Sequence, residues 1–164
     1  VNVGIITNSL AANDVAAVHS GYKRYREELL RSGVKLYELK AQGKVDRAGV
    51  FGSSGASLHT KAFVVDDRRG FVGSFNLDPR SVYLNTEMGV IFDDPEIGRR
   101  LVEEYLHLAD PEQSYWVFLD GEDHLRWLDR DAEPPTVLDT EPDTGWGMRS
   151  MVWLLGWLPI ESQL

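Results

Sequence analysis

At 164 residues the chain is long enough to bury one substantial core, and it carries no low-complexity run and no residue-level repeat. Its 26 Asp and Glu against 17 Lys and Arg give a net charge of -9, which argues against broad electrostatic attraction to nucleic acid or anionic membrane but leaves room for a local phosphate site. The absence of cysteine excludes disulfides and thiolate-ligated zinc.

The opening "VNVGIITNSL" lacks an initiator methionine and a secretion signal and becomes strand-like at once, so the sequence is expected to be an excised piece of a longer protein. "VGIIT" (3–7) is a short β-branched run suited to a strand covered on both faces. Asn13 or Asp14 is then a candidate helix cap, and Val15, Val18, Tyr22, Tyr25 and Leu29 form one apolar stripe that Gly33 closes. "VKLYEL" (34–39) completes a strand–helix–strand unit, which predicts parallel strands. The Gly- and Ser-rich stretch 40–57 reads as a long loop. "LHTKAFVVD" and "GFVGSFNL" flank "DRRG" as a hairpin, and "EMGVIFDD" (87–94) is a further strand. Asp94 caps a helix with Pro95 at its first position and Ile97, Leu101, Tyr105 and Leu108 as its stripe. In the tail, "SYWVFLD" and "HLRWLD" read as antiparallel strands around "GED", and "WGMRSMVWLLGWLP" as a last helix. That helix is a core helix or, through Trp146, Trp153 and Trp157, a membrane-facing patch; it is too short to span a bilayer. The expected fold is therefore α/β, a mixed and mostly buried β-sheet flanked by helices, in one domain over 1–164.

The hairpin carries the chemistry. Side chains alternate along a strand, so His59 and Lys61 share a face. Pairing Asp66 with Phe71 across the turn sets Lys61 opposite Asn76 and brings Ser74 and Asn76 to that same face. An imidazole can attack or move protons near neutrality, while ammonium, hydroxyl and amide can hold anionic oxygens. Together they outline a phosphate site.

"HTKAFVVD" fits the H-x-K-x4-D signature of the phospholipase D superfamily through His59, Lys61 and Asp66, and "GSFN" fits its G-S-x-N element through Gly73, Ser74 and Asn76. Glu87 in "LNTE" sits where that family places a carboxylate. With "TNSLAANDVAAVHSGY", "GVKLYELK" and "SFNLDPRS" around them, nearly the whole chain resembles the C-terminal half of bacterial cardiolipin synthase-like proteins. The resemblance implies a phospholipase D-like half with a phosphodiester site that uses two histidines, one from each homologous half. One would attack phosphorus and the other protonate the leaving alkoxide, without metal or other cofactor. It further implies phosphatidyl transfer, a phospholipid substrate, and a partner that is the N-terminal half or a homodimer mate. The full-length protein would sit peripherally on the cytoplasmic face of the bacterial inner membrane, this domain itself being soluble.

In that frame His59 is the nucleophile or acid, and Glu87 accepts its other ring N–H. Lys61 and Asn76 would neutralise phosphoryl oxygens, with Ser74 adding a hydrogen bond. Asp66 differs in parity from His59 and takes a structural place at the turn, pairing with Arg68 or Arg69. Each residue also has a plain reading: His59 as a hydrogen-bonded bystander, Lys61 as an edge charge, Glu87 as a surface charge. His19 is either a partly buried helical histidine or a residue at the site rim touching headgroup or phosphate. "YKRYR" (22–26) reads as a solvated helix face, Asp78 and Arg80 as turn chemistry around Pro79, and His107 and His124 as surface residues. Hydrolysis by a nuclease-like relative is the alternative activity, against which the acidic balance counts. An inactive isolated half is a third reading, because one H-x-K-x4-D is present.

Overall fold

The computed structural model describes residues 1–12, 16–41, 58–76 and 79–155. The expected cap at Asn13 or Asp14, Val15, the loop beyond Ala41, Asp78 and Trp157 lie outside the described residues, as do the side chains of Val18 and Arg80. The described residues form two compact units, one from 1–12, 16–41, 58 and 108–155 and one from 59–76 and 79–107.

In the first unit, β1 (Gly4–Asn8), helix α1 (Ala16–Arg31) and β2 (Lys35–Leu39) make the expected unit with parallel strands, from Gly4 opposite Lys35 to Asn8 opposite Leu39. The helix closes at Gly33, whose φ is 86°. β6 (Ser114–Leu119), β7 (Leu125–Asp129) and β8 (Thr136–Leu138) add antiparallel neighbours, giving the order β1-β2-β6-β7-β8. Leu36, Tyr115, Val117 and Trp127 form the core, with Ile5, Tyr22, Leu30, Leu125 and Leu138 packed around them. β1, at the end of this strand order, is half-buried rather than covered on both faces. Helix α4 (Trp146–Leu155) buries Val152 and exposes Trp146, Trp153 and Leu154. Among the described residues no helix is long and apolar enough to cross a membrane.

The second unit is an antiparallel meander of β3 (Lys61–Val65), β4 (Arg69–Gly73) and β5 (Gly89–Asp93), with the short α2 (Pro79–Tyr83) between β4 and β5, followed by α3 (Pro95–Leu108). The Asp94 carboxylate accepts from the amides of Glu96 at 2.7 Å and Ile97 at 3.1 Å, so the expected cap holds. Gly98 lets α3 lie against the β3–β4 turn: a Cβ there would fall 2.1 Å from the Asp67 carbonyl oxygen. Of the α3 stripe, Leu101 and Leu108 are buried while Ile97 is exposed. The α/β class, mixed strand directions and flanking helices agree with the sequence reading. Two features go beyond it: the strands divide into two sheets, and Phe63, Val65, Val90 and Ile91 of the smaller one are largely exposed.

The first unit also holds a buried ionic cluster. His19, Tyr22 and Arg26 occupy one face of α1, three and four residues apart. Arg26, with 0% of its surface exposed, lies 3.2 Å by Nε from Glu38 on β2 and donates from Nη1 to Glu141 at 3.0 Å. Its Nη2 sits 2.9 Å from His19 Nε2, and its guanidinium covers the rings of Tyr22 and Trp127. Glu38 accepts from Tyr22 at 3.0 Å and from the Trp127 indole at 2.8 Å. Two expectations are corrected here. Arg26 is not part of a solvated face, because two buried carboxylates hold it inside. His19 is not an exposed rim residue: it is 0% exposed, between Arg26 and Glu141.

Burial alone would raise the Glu141 carboxyl, but hydrogen bonding to His19 and the charge of Arg26 outweigh it and hold the pKa at about 2. Its contribution to stability is therefore complete above its ordinary value of 4.5 and is lost as pH falls toward 2, on the order of 3 kcal/mol. Glu38 runs the other way. Burial pushes its carboxyl up, so its term favours the fold most below 4.5 and weakens above it. Chemical denaturation between pH 5 and about 2.5 should show a steeper loss of stability in the native protein than in Glu141→Gln. Equal slopes would remove Glu141 as the source.

Candidate active site

The hairpin that carries His59 and Lys61 is tighter than the sequence suggests. Lys61 pairs with Gly73 and Val65 with Arg69, leaving a three-residue turn of Asp66, Asp67 and Arg68. Asp66 and Asp67 take left-handed conformations, φ 52° and 54°, which Asp tolerates better than most residues. This corrects the expected register: Lys61 faces Gly73 rather than Asn76, and Asn76 lies beyond the end of β4, exposed. The Asp66 side chain is not the partner of the turn arginines. Arg68 and Arg69 both bind Asp93 at the end of β5, and these two contacts lower its carboxyl. Asp66 stands in the turn with its backbone in the left-handed region.

Across the sheet, Lys61, Gly73 and Gly89 lie in one row. Gly73 is required there, since a Cβ would fall 2.5 Å from both the Met88 carbonyl oxygen and the Phe71 ring. Lys61 donates to the main-chain oxygen of His59 at 2.7 Å, so its ammonium is folded toward the histidine's own backbone. Ser74 follows the end of β4, where strand alternation no longer governs direction. Its hydroxyl meets Glu87 Oε2 at 2.5 Å and accepts from the Met88 amide at 3.0 Å. Hydrogen bonding from Ser74 lowers the Glu87 carboxyl against an opposing desolvation, and hydrogen bonding from Ser81 and Asn85 and the charge of Lys61 add to the lowering.

Of the residues expected at the site, the structure thus brings Lys61, Ser74 and Glu87 into one electrostatic group and sets the His59 main chain against Lys61. His59 is exposed, and among the described residues no hydrogen bond joins its ring to Glu87, whose Oε2 is turned onto Ser74. Asn76 is not set across from Lys61. His19 belongs to the cluster of the first unit. Two residues around Glu87 escaped the sequence reading: Ser81, which is buried, and Asn85, whose amide donates to Ser81 at 3.5 Å. The available signal was their spacing, six and two residues before a carboxylate, on a segment too short to show helical periodicity.

The arrangement provides a cation and neutral donors around an ionised carboxylate at one end of a sheet, next to an exposed imidazole-bearing segment. Such a set can bind and polarise a phosphoryl group. Residues 1–109 match the family described as cardiolipin synthase, PLD-like domain. The chain is 43% identical to cardiolipin synthase C of Escherichia coli over 165 residues, covering 98% of this chain and 35% of that protein. It is 35% identical to an uncharacterized protein of Helicobacter pylori, over 91% of this chain and 29% of the other. With cardiolipin synthase A of Yersinia pestis it shares 32% identity over 72% of its own length and 20% of the other's. The chain thus spans about a third or less of the relatives it matches. It belongs to the cardiolipin synthase, phospholipase D-like domain family.

Proposed function

We propose that the chain is one phospholipase D-like domain, the C-terminal half of an enzyme that transfers phosphatidyl groups in cardiolipin synthesis. The observation that carries this reading is the 43% identity to cardiolipin synthase C across 98% of the chain. In the proposed reaction the His59 imidazole attacks phosphorus and the bond from phosphorus to the leaving alkoxide breaks. A second histidine, from the N-terminal half or from a homodimer mate, protonates that alkoxide. A glycerol-type hydroxyl then attacks the phosphohistidine, gives its proton to the second histidine and releases His59.

Lys61 and Asn76 carry the phosphoryl oxygens, with Ser74 beside them. Glu87, held ionised, offsets the positive charge that the imidazole gains. The substrate resides in a bilayer, so the full-length protein works at a membrane surface, taken as the cytoplasmic face of the bacterial inner membrane. The test supplies full-length protein with phospholipid vesicles whose phosphate is isotopically labelled, plus a glycerol-type acceptor. A labelled diphosphatidyl product and an acid-labile label on His59 are expected. Release of free phosphatidate alone would make the activity hydrolysis. Cleavage of single-stranded DNA in preference to lipid, or no turnover of either, would overturn the reading.

A further inference from the structure

The segment after β4 is inverted in polarity. From Ser81 to Leu84 the apolar Val82, Tyr83 and Leu84 are more than half exposed, whereas the hydroxyl-bearing Ser81 is 4% exposed. Burying a serine while leaving aliphatic and aromatic side chains in water runs against ordinary partitioning, so the inward serine needs a partner that repays its desolvation. That partner is Glu87. Ser74 presents its hydroxyl to Oε2 at 2.5 Å and is itself fixed by the Met88 amide at 3.0 Å. Ser81 and Asn85 hydrogen-bond to the same carboxylate, and Asn85 also donates to Ser81. An ionised carboxylate has about four lone-pair positions to fill, and three neutral donors fill most of them without cancelling its charge.

We propose that Ser81 and Asn85 are positioning residues for the phosphoryl-transfer reaction, holding the Glu87 carboxylate in a fixed place and orientation together with Ser74. This rests on the transfer reading given above. The division of labour follows from charge. A lysine or arginine in place of these donors would neutralise Glu87 and remove its ability to offset a developing imidazolium. Hydroxyl and amide groups orient the carboxylate and keep it ionised at full strength.

The experiment uses full-length protein carrying Ser81→Ala or Asn85→Ala, each alone and combined with Glu87→Gln, with bis(p-nitrophenyl) phosphate as probe. Each single variant should lower kcat about tenfold, leave KM within about twofold and leave the thermal midpoint unchanged. In the Glu87→Gln background neither should cause further loss, because both act through that carboxylate. Carbon-13 NMR of the side-chain carboxyl should show the Glu87 midpoint rising toward its ordinary value in both single variants. An unmoved midpoint, or losses that add to that of Glu87→Gln, would overturn the assignment. Should the midpoint rise while the unmutated protein turns over no phosphodiester, the transfer reading falls and takes the positioning role with it, although the hydrogen-bonded clamp would remain as structure.

Discussion

Full-length protein with His59→Ala should lose phosphodiester turnover by roughly ten-thousand-fold or more, because the covalent route disappears with its nucleophile. The fold should be untouched. His59 is exposed and its structural contact is made by the main-chain oxygen, which alanine keeps. Its thermal midpoint should therefore match the parent, as for other exposed substitutions. Lys61→Met offers the contrast. It removes one cation from the phosphoryl oxygens, an effect of roughly a hundred- to a thousand-fold. It also frees the His59 carbonyl that Lys61 holds at 2.7 Å. A His59→Ala protein that retains even a tenth of its turnover, at an unchanged midpoint, would dismiss histidine as the nucleophile.

The second large effect concerns stability. Arg26→Met should cost about 3–5 kcal/mol, since it leaves two buried carboxylates without their shared cation. Glu38 is 0% exposed and Glu141 is buried beside it, so neither can turn to water without opening the unit. Arg26→Lys should not rescue the protein. A single ammonium cannot reach His19, Glu38 and Glu141 together or cover the Tyr22 and Trp127 rings as a planar guanidinium does. Replacing Arg26, Glu38 and Glu141 together by apolar residues of similar volume should recover most of the loss, because no buried charge remains unpaired. Denaturant titration would check this series. A loss below about 1 kcal/mol in Arg26→Met would show that the cluster is not a unit.

Much of the scaffold was legible because its signals are local. The α1 stripe, Gly33, the Asp94–Pro95 pair and the alternation of β6 and β7 each lie within a few residues of what they specify. The hairpin was legible as a hairpin, but not in its register. "DRRG" suggests a four-residue connection, and the choice of left-handed Asp66 and Asp67 shortens it, moving Lys61 from Asn76 to Gly73. Pairing distance along the sheet is set by the turn, so an error there propagates to every cross-strand neighbour. Arg26 reads as solvated in the sequence because its run looks basic and aromatic. The carboxylates that bury it come from β2 and from a position 115 residues further on, beyond the reach of any local pattern. Lys61, Ser74 and Glu87 were named from sequence and do share one electrostatic neighbourhood. Ser81 and Asn85 were not, since a serine among exposed apolar residues carries no outward sign that it faces inward.

The position of β6 has a practical bearing on where the protein can be cut. The family match covers residues 1–109, yet β2 is hydrogen-bonded on one side to β1 and on the other to β6, which begins at Ser114. A fragment trimmed at the family boundary would strand Leu36 without Val117, leave Glu38 without the Trp127 indole and deprive Arg26 of Glu141. What remained of that sheet would be a parallel two-stranded ribbon with a buried arginine half unmatched. The family match over residues 1–109 is thus shorter than the stretch that folds.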